Sequence, residues 1–347
     1  MFDFSAYPLW LLVTLFVVGG LLVWFAGTRL ARLADAIAER TGVGRAFIGA
    51  LLLGGLTSLP EVATSVTSTL VGNVRLAVNN ILGGVAMQVA LLAIADAAVR
   101  DVTLSIASNL AVIRLQAALL ILALIFVAMG IVVGEPAGWS VGPWSMGLFA
   151  ASAAAFYAIR KIKTPDDGAT SDSGADSDET SPSTAPQSSQ PRHLVLKTVV
   201  AGLVVLVAGA VVGLAGDALG RRTGLGSSFV GVLLVALTTS LPELSTTVEA
   251  ARLGRYQMAF SNVLGTNFFD IALIFVIDLL WREGPALDEV GRFSTVAALL
   301  GAALTGIYLL TFATGRRRRV LRVGTDSLFV LLVYVGGMFL LYWIRGS

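Results

Sequence analysis

Residues 35–61, "DAIAERTGVGRAFIGALLLGGLTSLPE", and residues 217–243, "DALGRRTGLGSSFVGVLLVALTTSLPE", are one phrase written twice, 182 places apart. The register runs on without a gap to Asp96 and Asp278, with 25 identities over 62 aligned positions. Each copy ends its apolar run on a proline followed by a glutamate, Glu61 in the first and Glu243 in the second. Agreement over such a length marks a duplicated unit.

The unit belongs in a membrane. Of the 347 residues 56% are hydrophobic and only 13% charged, and the mean hydropathy is +0.83, outside the range of soluble domains. Apolar runs long enough to cross a bilayer recur at roughly 8–26, 46–71, 76–98, 107–133, 138–160, 194–216, 227–251, 256–281, 291–313 and 324–344. The first is too long, and lacks the basic flank, to be a cleaved signal. Between the fifth and sixth runs lies a polar segment rich in Ser, Asp, Pro and Gly, which cannot bury enough surface to offset its ordering entropy and is expected to be disordered. The chain therefore divides into residues 1–163, a linker over 164–192, and residues 193–347, with the repeated motifs at about 46–96 and 227–278.

Each half holds five spans. An odd number reverses the side from which the second half enters, so the expected fold is an all-α polytopic membrane protein: ten transmembrane helices in two inverted-topology five-helix repeats. Inverted repeats are the signature of secondary transporters, whose site lies at midplane where the halves meet. Lys and Arg are about threefold more abundant on one set of connections, which places both termini outside and the 164–192 linker in the cytoplasm of a cell-membrane protein.

Polar residues within the spans share a face. Thr57, Ser58, Glu61, Thr64, Ser65 and Ser68 recur at helical spacing, as do Thr239, Ser240, Glu243, Thr246 and Thr247. A carboxylate at bilayer centre costs about 2.5–3.5 kcal/mol, so it must face the protein interior and meet a cation or a proton. Pro60 and Pro242 each remove a backbone donor and free a carbonyl about one turn earlier, near Gly54–Leu56 and Ala236–Thr238. Carboxylate, hydroxyl and carbonyl oxygens suit hard cations, Ca²⁺ or Na⁺. The competing reading has the hydroxyls bonded back to their helices. Thr266 and Asp270 share a face of the eighth span, opposite Gly84 and Gln88 in the repeat. Asn80, Asn262 and Asn267 suit ligation and interhelical hydrogen bonding equally. Asp96, Asp278, Glu249 and Arg252 lie near span ends and read as solvated.

"TSLPE" at Thr57–Glu61 and at Thr239–Glu243, with "GTNFFD" at Gly265–Asp270, resembles the calcium/cation antiporters, and within them the sodium/calcium exchangers, prokaryotic type with two inverted alpha repeats. The resemblance implies cation ligation by Glu61, Glu243, Thr57, Ser58, Thr239, Ser240, Thr266 and Asp270, and by the carbonyls of Gly54 and Ala236, with Gln88 at the remaining position. The family pattern has a hydroxyl and an Asn or Asp where this chain has Gly84 and Gln88. The proton/calcium branch uses histidines in these helices; here the one histidine, His193, lies beside the linker, so the resemblance implies sodium coupling.

The function expected is secondary active antiport, Ca²⁺ extrusion coupled to Na⁺ entry by alternating access at a midplane carboxylate site. An H⁺- or K⁺-coupled divalent cation antiporter is the alternative, and a cation channel a more distant one. Mg²⁺ dehydrates reluctantly, and a cage of protein oxygens favours Ca²⁺. There is no cysteine, and without a histidine in the spans an intramembrane protease would need two facing aspartates where the core offers Asp270. No catalytic residue, cofactor, nucleic acid or obligate protein partner is expected. The partners are the bilayer and the transported ions Ca²⁺ and Na⁺.

Overall fold

The computed structural model describes residues 4, 7–42, 45–70, 72, 74–98, 110–136, 138–161, 191–222, 239–314, 319–320 and 323–344. Residues 164–190 of the expected linker and the first part of the seventh span, with Ala236, lie outside the described residues; the last two linker residues, Pro191 and Arg192, are instead the start of a helix.

The described chain is built of helices, as backbone in hydrocarbon must satisfy its own hydrogen bonds. They are α1 (Leu9–Thr41), α2 in two limbs (Arg45–Thr57 and Leu59–Leu70), α3 (Val74–Ala98), α4 (Leu110–Val133), α5 (Pro143–Lys161), α6 (Pro191–Arg222), α7 (Leu241–Arg252), α8 (Tyr256–Leu280), α9 (Arg292–Thr314) and α10 (Thr325–Ile344). One exception to the all-α expectation is a two-residue antiparallel pair, Arg319–Val320 against Val323–Gly324, at the approach to α10. Seven helices, α1, α3, α4, α6, α8, α9 and α10, are long and apolar enough to cross a membrane, and the bent α2 would be an eighth. This is a membrane protein.

The centre is made by the repeated helices. Of the apolar windows of α3 and α8, 83% and 61% are enclosed, against 17% for α1 and 22% for α10. α8 packs against α2, α3, α4, α5 and α7, while α3 packs against α2, α7, α8, α9 and α10. α2 and α8 cross at glycine: a Cβ on Gly54 would stand 2.8 Å from the Thr266 nitrogen, and one on Gly265 would collide with the backbone of Ala50. Only bare backbone allows that approach.

α2 is bent rather than continuous. Residues 49–53 form a π turn, and the limbs meet at Ser58 with a 44° change of direction. The cause is Pro60, which lacks the N–H that would continue the ladder and is tolerated in a first turn. Pro242 opens α7 in the same way. The Ser58 carbonyl accepts from Val62 N–H, and the Ser240 carbonyl from Leu244 N–H, each at 3.0 Å. Both motifs close on a left-handed glycine: Gly72 (φ 83°) donates to Thr69, and Gly254 (φ 72°) to Ala251, each at 3.0 Å. Every partner in these pairs is 182 residues from its counterpart.

α1 runs far past the expected 8–26, and α6 extends beyond both ends of the expected 194–216. The extra turns of α1 are polar and find partners: Arg32 pairs with Glu249 at 2.7 Å, and Asp35 with Arg45 at 3.1 Å and Arg255 at 2.9 Å. Glu249 is therefore buried and paired, not solvated; Arg252 is exposed as expected. α1 and α6 lie against each other, with Gly19 facing Ala208 and Val212, and Leu33 sharing a groove with Leu196. As one number rises the other falls, so the two helices are antiparallel.

Candidate functional site

Glu61 and Glu243 stand in the first turns of the second limb of α2 and of α7, where a helix N-terminus favours negative charge. Asp270 projects from the middle of α8. All three are buried, with exposures of 3%, 0% and 0%, and are close enough for their charges to act on one another. The Thr239 hydroxyl stands beside the Glu61 carboxylate, and the Thr57 hydroxyl beside that of Glu243, so each half furnishes a neighbour to the other's acid.

The Asp270 Oδ2 accepts a hydrogen bond from Gln88 Nε2 at 3.0 Å. The remaining carboxylate oxygens, both of Glu61, both of Glu243 and Asp270 Oδ1, have no hydrogen-bond partner among the described residues, and neither have Gln88 Oε1 and Ser240 Oγ. Leaving a buried acceptor unsatisfied costs about 1–3 kcal/mol, and more for a charged one. Five such oxygens on three converging helices are what a cage for a dehydrated hard cation provides.

The hydroxyls of Thr57, Ser58 and Thr266 bond back to their own helices, as the competing reading expects, whereas those of Ser65 and Ser240 have no partner among the described residues. Thr57 Oγ1 donates to Leu53 O at 3.0 Å, and Ser58 Oγ to Gly54 O at 2.9 Å. Thr266 Oγ1 donates to Asn262 O at 2.9 Å and lies 3.4 Å from Thr57 Oγ1. A hydroxyl that donates its one proton keeps lone pairs for a cation, so back-bonding and ligation are compatible for Thr57, Ser58 and Thr266. The Gly54 carbonyl, by contrast, also takes the Ser58 N–H at 3.0 Å, and a cation there must share it. Among the described residues no three carboxylate, imidazole or thiolate side chains come together as a ligand cluster on their own, which leaves a large share of any coordination to hydroxyl, amide and carbonyl oxygens.

Asn262 joins helices: its Nδ2 donates to Thr246 and Thr247 of α7 at 2.8 and 2.9 Å. Neither amide atom of Asn267 has a partner among the described residues, and the side chain is fully buried.

Asp96 and Asp278 are not solvated. They are 2% and 1% exposed. Asp96 accepts from Gly324 N and Ser327 Oγ at 2.9 and 3.0 Å; Asp278 accepts from Gly142 N and Ala286 N, each at 2.6 Å, and from Ser145 Oγ. Each acid ties the end of a core helix to the start of α10 or α5. A signal for this lay in the sequence: Gly142 and Ser145 sit 182 residues before Gly324 and Ser327.

Comparison with known proteins bears on the family and the fold. The family model described as "Sodium/calcium exchanger protein" matches residues 11–159 and 193–343. The CaxA protein of Alkalimonas amylolytica is 24% identical over 96% of this chain and 99% of its own length, and the inner membrane protein YrbG of Escherichia coli is 25% identical over 96% and 98%. A solved structure of the sodium-calcium exchanger NCX_Mj shares the fold, with a TM-score of 0.71 at 18% identity over 95% of this chain and 99% of that one.

Proposed function

We propose, starting from the fact that this chain belongs to the sodium/calcium exchanger family, that it extrudes Ca²⁺ in exchange for entering Na⁺. The observation that carries the reading is the set of five partnerless carboxylate oxygens on Glu61, Glu243 and Asp270, one acid from the first repeat and two from the second. Thr57, Ser58, Thr239, Ser240, Thr266 and Gln88, with the carbonyls of Gly54 and Ala236, complete the proposed ligand set.

Charge decides what the carrier can hold. Three ionised carboxylates sum to −3. Three Na⁺ neutralise that charge, and so does one Ca²⁺ together with a proton on the free Oδ1 of Asp270. Uncompensated charge is costly in a low-dielectric interior, so the loaded states cross and the empty state does not, which is the condition for exchange without leak. Ten spans in two inverted repeats suit alternating access. The antiparallel packing of α1 and α6, equivalent helices of the two halves, supports that inversion. Both termini then lie outside a plasma membrane.

A proton- or potassium-coupled exchanger would use the same oxygens. ⁴⁵Ca²⁺ uptake into proteoliposomes, with Na⁺, K⁺ and H⁺ gradients imposed one at a time, separates these. Uptake driven by internal Na⁺ alone is expected. Uptake that follows K⁺ or H⁺ assigns the other coupling ion, and passive Ca²⁺ equilibration without any gradient would mean a channel.

A further inference from the structure

α1 and α6 touch closely at Gly19 and Val212, and farther along the pair both line a groove of about 540 Å³. Its walls are apolar, among them Leu22, Phe25, Leu196, Val200 and Val204, and it also holds Arg29 and Lys197. Both cations are exposed, and neither has a hydrogen bond or ion pair among the described residues. Their depth is informative. Arg29 is 20 residues beyond Leu9, about 30 Å along a helix, which is the thickness of the hydrocarbon core. Lys197 is about one turn inside the start of the apolar segment His193–Val212. Because α1 and α6 are antiparallel, the two cations stand within about a turn of each other at one headgroup level, with the apolar walls running from them toward the bilayer centre.

We infer that this groove is a binding site for one anionic glycerophospholipid, its acyl chain along the apolar walls and its phosphate between Arg29 and Lys197. Charge complementarity selects the anionic headgroup: a zwitterionic lipid would bring its own cation to a site that already has two. Long basic side chains on apolar stems reach the headgroup layer readily. The site would act near the ion pathway, since the same helices press Gly27 against Ser245 of α7, and Gly209 against Pro60 of α2.

The test is retention of dioleoylphosphatidylglycerol against dioleoylphosphatidylcholine by the full-length protein in detergent, read as lipid adducts by native mass spectrometry. Wild type should keep phosphatidylglycerol preferentially. The Arg29→Gln/Lys197→Gln variant should lose that preference by about thirtyfold, from two basic side chains near a headgroup. Val200→Trp, which fills the groove and keeps both charges, should also lose the adduct. Arg160→Gln/Lys161→Gln, with the same loss of charge elsewhere, should behave as wild type. Equal retention of the two lipids by wild type overturns the proposal. So does an equal loss in the Arg160/Lys161 control, which would reduce the effect to net charge. If the Arg29/Lys197 variant does not elute as wild type in size exclusion, Val200→Trp decides alone, and unchanged retention there is fatal.

Discussion

The two halves of this molecule share a scaffold and differ in chemistry. At equivalent positions, α8 presents Thr266 and Asp270 where α3 presents Gly84 and Gln88. The scaffold contacts correspond pair for pair: prolines opening a limb, left-handed glycines closing it, and a buried aspartate capping α10 or α5. Gly27 of α1 packs against α7, and its counterpart Gly209 of α6 against α2, so each half leans on the other. What duplication preserved is backbone geometry. What it let drift is one pair of positions, where the second half keeps a carboxylate and the first only an amide that binds it at 3.0 Å.

The strongest test of this contrast is at the positions that did not drift. Glu61→Gln and Glu243→Gln each remove one charge and keep the shape. Each should lower Na⁺-driven Ca²⁺ flux by at least tenfold, with normal insertion because a neutral amide is cheaper in the membrane. Near-normal flux in one of them would show that the halves are unequal even here.

A second test reverses the drift. Gln88→Asp puts a fourth carboxylate beside Asp270. Two such neighbours do not both ionise readily, which gives protons a place to compete with Ca²⁺. Loss of flux on acidification, measured from about pH 6 to 9, should begin at higher pH in this variant, while Gln88→Asn follows wild type. Superimposed profiles for all three would remove Gln88 from the proposed ligand set.

The caps allow a comparison of stability. Asp278 accepts from Gly142 N, Ala286 N and Ser145 Oγ, and Asp96 has Gly324 N and Ser327 Oγ among its donors. Hydrogen bonds to charged groups contribute about 1.5–3 kcal/mol each, so Asp278→Asn and Asp96→Asn should each lower the melting temperature, by comparable amounts. An unchanged melting temperature in one of them would mean that the two caps are not equivalent devices.

The smallest effect is expected from Gly84→Ser, which restores a hydroxyl opposite Thr266. No described residue comes within 4 Å of a Cβ at Gly84. The variant should reach half-maximal exchange at a Na⁺ concentration lower by about twofold, the scale of a few tenths of a kcal/mol. An unchanged or raised Na⁺ requirement would count against a ligand role for this position.

Much of this was legible in the sequence. The offset of 182 and the phrase "TSLPE" located the paired glutamates, and both are buried together with Asp270. Helix ends were harder: hydropathy stops where the bilayer stops, but α1 continues because Arg32 and Asp35 find partners on other elements, which hydropathy cannot see. Asp96 and Asp278 were misread for a related reason. Position near a span end suggests water, whereas backbone N–H groups from distant segments complete their coordination. The break at Ser58 follows from Pro60, but its 44° size is not written in a proline alone.

On the proposed function the two halves build one cation site between them. Equilibrium binding of ⁴⁵Ca²⁺ to purified wild type, Glu61→Gln and Glu243→Gln decides whether they do. One Ca²⁺ per wild-type chain is expected, with loss of that same site in either variant. Two Ca²⁺ per wild-type chain, with one retained in each variant, would mean that each half binds its own ion, and would contradict the proposal.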